Sequence, residues 1–294
     1  MPNNLVVLGL VEQDIANKNY SSAMAKLVGV SNQLSKDVKF LSLLAITQKA
    51  LGDFAGHIKS LAVLAGQTQA HVSYLDYMAA LYAEGRLNEA LDVGLHLQDQ
   101  ELTEVNAKYF TRMMVRIYLE FCDYEGVSEV IENYCVNHQA DDLMNWAMGF
   151  VCLTEGQRDQ AIDYFRKSIE INAQNDQAWI SLAMLHEEMG DRELALANLE
   201  RALDINPTNS TGLKLMTKWH KRDLESVRHT MERLSYYLSR HSFDEEVSLC
   251  YVQVLKENNA NQVAQFEIEK LLLNNPENQT ALKLKNDLHV SAIS

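Results

Sequence analysis

The chain has 294 residues and a formal charge of −14, from 26 basic and 40 acidic side chains. That balance opposes the phosphate-neutralising surface on which nucleic-acid binders depend. No stretch approaches the roughly 18 consecutive apolar residues that span a bilayer, which excludes membrane insertion by a helix.

Apolar residues make up 47% of the chain and there are only 3 prolines, a composition suited to helices throughout. The four cysteines (Cys122, Cys135, Cys152 and Cys250) form no Cys-x-x-Cys pair. Their spacing indicates neither a zinc site nor a disulfide framework, so they read as small core residues in a reducing compartment. The first residues lack the basic head of a secretory signal and turn polar by Glu12-Gln13-Asp14. A cytoplasmic protein is expected.

Residues 176–209 overlay 142–175 without a gap: Gly156 falls on Gly190, Ala161 on Ala195, Ile171 on Ile205, Asn172 on Asn206 and Asn175 on Asn209. A fixed period of 34 means stacked copies of one small unit rather than one globular core. In chain order the units open near Asn4, Val38, His71, Lys108, Asp142, Asp176, Ser210 and Glu245. Gly52-Asp53, Gly85-Arg86, Gly156-Gln157 and Gly190-Asp191 mark turns between the two helices of a unit, and Cys122-Asp123 and Asn259-Ala260 are degenerate versions. Glycine supplies the left-handed backbone that ends a helix, and a following Asp caps the next. Ala23, Ala90, Ala161, Ala195 and Ala264 stand five positions after the turn slot, where two helices approach closely; Val127 takes that place in the fourth unit. The long interval after His71 predicts a loop around 99–105. The unit from Ser210 lacks the glycine turn and opens its second helix near Asp223. Leu282, Leu284 and Leu288 predict a capping helix over 279–294, which an open stack requires.

The best unit carries Trp179, Leu182, Ala183, Gly190, Ala195, Leu199, Ala202 and Pro207 in order over 34 residues. This pattern resembles the tetratricopeptide repeat, with His186 in place of the usual tyrosine. The resemblance is strongest at 142–209 and 245–278. It implies an all-α, right-handed α-solenoid of about eight helix hairpins with a C-terminal capping helix. N-terminal degenerate repeats would occupy 1–107 and better-matched repeats 108–294, as one continuous superhelix.

Compact catalytic signatures are missing: there is no phosphate loop, no nucleophile elbow and no His-Glu-x-x-His helix. His186-Glu187-Glu188 has Gly190 where a second metal-binding histidine would stand, and reads as an inter-helix polar segment. His220, His229 and His241 lack ligand spacing. Acidic pairs at Asp141-Asp142 and Glu245-Glu246 open helices, where they meet the helix dipole favourably. No catalytic residue, metal or cofactor is expected, and no enzymatic activity.

The resemblance further implies that the first helix of each unit lines a concave groove. In register, the groove receives Val72, Leu75, Ala79 and Tyr82 from the third unit and Tyr109, Arg112, Arg116 and Leu119 from the fourth. The fifth contributes Leu143, Trp146, Phe150 and Leu153, and the seventh Lys214, Lys218, Lys221 and Arg222. Trp146 sits one residue out of register with Trp179, so the helical period turns it toward the groove, with Phe150 on the same face. Aromatic anchors beside arginines suit a protein or peptide partner with hydrophobic anchors and acidic residues. The positions with which chaperone-binding members of the family hold a terminal carboxylate carry Leu8, Glu12, Leu43 and Asp76 here, so that role is not implied. The expected activity is that of a scaffold or adaptor binding a segment in its groove. The alternative is a self-associating subunit or assembly factor working through its convex or terminal surfaces, with Val290, Ala292 and Ile293 among the contacts.

Overall fold

The computed structural model describes residues 4–219, 224–241 and 243–291. Among these residues it holds seventeen helices and no strand. Eight of them open the repeats: α1 (Asn4–Ala16), α3 (Val38–Ala50), α5 (His71–Ala83), α7 (Glu104–Glu120), α9 (Asp142–Thr154), α11 (Asp176–Glu188), α13 (Ser210–Trp219) and α15 (Glu245–Glu257). Their partners are α2 (Tyr20–Leu34), α4 (Phe54–Thr68), α6 (Leu87–Gln98), α8 (Tyr124–Cys135), α10 (Arg158–Ile171), α12 (Arg192–Ile205), α14 (Leu224–Arg240) and α16 (Asn261–Asn274). α17 (Gln279–Ser291) follows as the expected cap, laying Leu284 and Leu288 against Ile268 and Leu271. The fold class is the all-α solenoid of helix hairpins that the periodicity implies.

One start differs from the sequence reading. α7 begins at Glu104, not Lys108, because Thr103 caps it by accepting the Asn106 amide (3.4 Å). The extra residues therefore lengthen a helix instead of a loop. Asp223, expected to open α14, lies outside the described residues, as do His220, Lys221, Arg222, Ala292 and Ile293.

The hairpin turns share one construction. The second residue after the first helix lies at positive φ at Lys18, Gly52, Gly85, Cys122, Gly156, Gly190 and Asn259. The next amide then donates back five residues, as in Asp53 N–H to Gln48 O (2.9 Å), Asp123 to Tyr118 O (2.9 Å) and Asp191 to His186 O (2.8 Å). This is the arrangement that satisfies the last carbonyls of a helix. The donating residue also starts the following helix: Asp53, Asp123 and Asp191 accept from Gly56, Gly126 and Leu194. One residue thus closes a helix and caps its successor, which fixes the hairpin tightly.

Five positions on, Ala23, Ala90, Val127, Ala161, Ala195 and Ala264 are all completely buried. The larger Val127 follows Gly126, where a Cβ would stand 2.8 Å from the Tyr118 ring. The glycine lets that ring lie directly on α8.

Contacts divide the helices into two compact units, residues 1–151 and 152–294. The core of the first runs continuously from Leu8 through Leu27, Met78, Leu97, Ile117 and Met144 to Val151. In the second, Leu199, Leu203, Leu234 and Val254 form one cluster and Val252, Ile268 and Leu271 another.

A non-glycine residue at positive φ costs of order 1 kcal/mol. Lys18→Gly should raise stability by about 0.5–1 kcal/mol, and Gly190→Ala should lower it by about 1 kcal/mol. Denaturant or thermal melting of the two variants beside the wild type checks both signs.

Candidate functional site

First helices of neighbouring repeats touch directly at three places, α1 with α3, α5 with α7 and α13 with α15, whereas among the described residues no two second helices pack comparably. These contacts give the first helices a shared face. In the N-terminal unit this face opens into a cleft of about 660 Å³ between α3, α4, α5 and α7. Its walls are mainly apolar, and Ile46 (49% exposed), Phe54 (45%) and Tyr109 (42%) remain open to solvent around it.

Asp76 and His57 also line this cleft. The His57 Nδ1 lies 2.9 Å from the Ala45 carbonyl, so that nitrogen carries the proton and donates, leaving Nε2 as an acceptor. Burial pushes the His57 ring below its ordinary pKa, and burial raises the Asp76 carboxyl above the usual range. The register expected on α5 is corrected at one position. Leu75 is buried in the core, and its neighbour Asp76 takes the place on the shared face. Ala79 lines the cleft as expected.

Tyr82 and Tyr109 are partly exposed, and burial raises both phenols above their ordinary pKa. Tyr82 donates weakly to Glu120 Oε1 (3.4 Å), and Tyr109 feels the charges of both Asp76 and Arg116. Arg116 is exposed and makes no ion pair among the described residues. Arg112 differs. Its Nη1 donates to Asp141 Oδ2 (2.6 Å) and to Asp142 Oδ1 (3.0 Å), joining α7 to the start of α9. Asp141 is buried, and its other oxygen caps α9 at the Met144 amide (3.1 Å). The guanidinium is thus neutralised by two carboxylates of the next repeat.

On α9, Trp146 and Phe150 meet edge to face with centroids 4.9 Å apart and planes at 66°. Both are half-buried, and Trp146 packs against the core of the N-terminal unit. Leu143, expected in the groove, is buried in that core instead. In the C-terminal unit Lys214 bonds to Glu246 (2.6 Å), while Lys218 is exposed.

The periodic asparagines have a structural task. Asn172 and Asn206 accept the amides of Gln174 and Thr208 through Oδ1, forming side-chain turns at the repeat joints. Asn175 and Asn209 cap the next helices, at Ala178 and Gly212. Asn206 and Asn209 also donate to Asp176 Oδ2, each at 2.8 Å. Asn275 and Asn278 hold Glu245 in the same way, at 2.9 and 2.6 Å. The first acid of a repeat is therefore clasped by the joint that ends it.

Among the described residues no group of three or more His, Cys, Asp and Glu is placed to hold a metal ion. His229 accepts from Arg233 (3.3 Å) and His241 stacks on Tyr237. No described helix is long and apolar enough to cross a membrane. The first-helix faces offer pockets and charge, which are means of binding.

Residues 153–218 match the family model of the tetratricopeptide repeat. This segment carries the tetratricopeptide repeat, and the helix hairpins on either side of it continue the same fold. No curated protein matches its sequence. A tetratricopeptide repeat protein from Parabacteroides merdae shares the fold with TM-score 0.56 and 12% identity, over 86% of this chain and 98% of that one. The C-terminal part of a repeat protein from Cytophaga hutchinsonii does so with TM-score 0.52 and 13% identity, over 94% and 98%. The APC/C hetero-tetramer Cut9–Hcn1 matches with TM-score 0.53 and 12% identity, over 96% of this chain and 48% of that one. The repeat protein thus spans about half the length of that last chain.

Two elements of this surface were only partly read from the sequence: Asp76, which the resemblance put at a carboxylate-holding position while the groove register named Leu75, and the bridge of Arg112. Asp76 is separated from the expected Leu75 by one position, and only the rotation of α5 decides between them. The Arg112 bridge joins residues about thirty apart, and its one signal was the Asp141-Asp142 pair one repeat after an arginine. Arg112→Ala would leave the buried Asp141 with a more distant cation, Lys108 at 3.6 Å. It should therefore cost about 1–3 kcal/mol. Chemical denaturation is the check, and a loss below a few tenths of a kcal/mol would assign the bridge no structural role.

Proposed function

We propose that the protein is a scaffold or adaptor that holds a partner segment, extended or helical, on the inner face of its N-terminal unit. The observation that carries this reading is an unfilled apolar cleft on the first-helix face, with Tyr109 open beside it and the Trp146–Phe150 pair half-buried on α9. Aromatic side chains that already pack on one edge lose little rotamer freedom when a ligand covers the other, which suits them as anchors. Tyr82 and Arg116 complete the patch. Arg116 is the arginine whose charge remains available to acidic residues of the partner, since Arg112 is committed to Asp141 and Asp142. Lys218, and Lys214 to a lesser degree, offer a similar charge in the C-terminal unit.

The full chain serves as bait, and the affinity of a recovered partner is then titrated against variants. Trp146→Ala should weaken binding by tenfold or more, about 1.4 kcal/mol. Arg116→Glu should mainly slow association and flatten its salt dependence. Affinity and association rate both unchanged in the two variants would remove the groove as the working surface.

One observation favours a second reading, self-association through the C-terminal unit. α16 presents Val263, Phe266 (64% exposed) and Leu273 (84%) on its outer side, spaced three and seven apart so that they share one helical face. An apolar stripe of this kind fits a second copy of the chain. Under this reading light scattering finds a dimer for the wild type and a monomer for Phe266→Glu; a monomeric wild type ends it.

A further inference from the structure

Three features outside the core could carry a ligand. In the C-terminal unit, a cavity of about 740 Å³ is lined by Glu193, Glu200, Glu225 and Glu232 together with Arg228 and His229, and this mixture of charges names no occupant. The stripe on α16 is apolar without a charge that selects a partner. The cleft of the N-terminal unit has both an apolar pocket and an uncommitted charge.

We infer that this cleft is a subsite for a cationic side chain of the partner, a lysine or arginine directly beside an aliphatic or aromatic residue. The inference rests on the groove reading above and names the chemistry of one part of it.

The acceptors come first. The Asp76 carboxylate lines the cleft and makes no hydrogen bond or ion pair among the described residues. By contrast, Asp141, Asp176 and Glu245, at the starts of later repeats, are bonded within the fold. His57 adds an acceptor nitrogen, because its other nitrogen is bound to Ala45 O, and Glu84 adds a carboxylate at the rim. Lys49 lines the same cleft, acts on Asp76 through space, and closes no ion pair with it. A ligand that brings several N–H donors matches this set, whereas a carboxylate would meet Asp76 and Glu84 unfavourably.

Apolar contact completes the match. Ile46, Phe54 and Tyr109 stand open around a pocket floored by Ala45, Leu61 and Ala79. The aliphatic stem of a lysine or arginine, or a neighbouring Leu or Phe, would cover this surface while the charged head reaches Asp76. Asp76 itself is exposed, so its carboxylate stays within reach of an incoming cation while the walls of the cleft take the stem. The net charge of −14 draws basic segments toward the protein from a distance.

A phage-displayed library of random peptides, selected on the full chain, tests this. Peptides recovered by the wild type should place Lys or Arg next to Leu, Ile or Phe. Made synthetically and titrated by fluorescence anisotropy, they should bind Asp76→Asn about tenfold more weakly. Selection on Asp76→Lys should instead recover peptides with Asp or Glu at that place. Far-UV circular dichroism and the melting midpoint should stay unchanged in Asp76→Asn, whose side chain bonds to nothing in the fold. If Asp76→Lys fails to fold, the Asp76→Asn titration decides alone. Recovered peptides that are indifferent to Asp76→Asn but lost on Trp146→Ala or Tyr109→Ala would overturn this inference and leave the groove reading standing. Peptides indifferent to all three variants, or no recovered peptide at all, would overturn both.

Discussion

At seven described turns a helix pair reverses direction across three residues, and the left-handed residue in the middle makes that possible. Its positive φ lets the following amide reach back to the helix it leaves, while the same residue begins the next helix. The second helix is thereby set so close that at six of the seven described turns a small side chain, Ala or Val, stands completely buried five positions later. His57 takes that place after Gly52 and lines the cleft instead. The pairing of helices, the touching of first helices and the face they share all descend from this turn. Where the residue is Lys18, Cys122 or Asn259 instead of glycine, backbone strain of order 1 kcal/mol is held by the packing around it.

A second constraint ties one repeat to the next. Joint asparagines and the first acid of each repeat form a polar clasp around Asp176 and again around Glu245. Arg112 performs the comparable task across Asp141 and Asp142 with ionic chemistry. Charges on the first helices therefore fall into two sorts among the described residues. Arg112 and Lys214 bond to acids of the next repeat, while Asp76, Arg116 and Lys218 are uncommitted. Uncommitted charge beside apolar surface contributes little to folding in water and becomes useful when a ligand displaces that water.

Periodicity made the fold legible because each signal has a local cause. Gly190 announces a left-handed turn, Asp191 a cap and Ala195 a close approach, and none of these needs knowledge of distant residues. Seven of the eight first helices start at the residue the register names, and the eighth fails only because Thr103 caps α7 a turn early. The site was less legible. Rotation of a helix by one position exchanges Leu75 for Asp76, a difference of about 100° that packing decides and hydrophobic spacing alone does not. Leu143 illustrates the same limit, since Met144, Trp146 and Ala147 around it on α9 are all apolar and offer little contrast from which to read a face. The fate of Arg112 was hidden for another reason. An arginine beside aromatics looks available until the chain brings Asp141 and Asp142 against it.

The two uncommitted charges of the N-terminal unit give its first-helix face a direction. Tyr109 is near enough to feel both charges, the anion Asp76 and the cation Arg116. Along α7, Tyr109 and Arg116 are separated by seven residues, or about 10 Å at the helical rise. A bound segment with a cation at one end and an anion at the other satisfies both charges in one orientation and meets repulsion in the reverse. Apolar side chains between them would rest against Tyr109 and the neighbouring first-helix surface in either orientation. The hydrophobic contacts thus supply affinity without polarity, and the pair of charges supplies polarity at modest energetic gain, which is the division of labour expected where specificity is a difference between affinities.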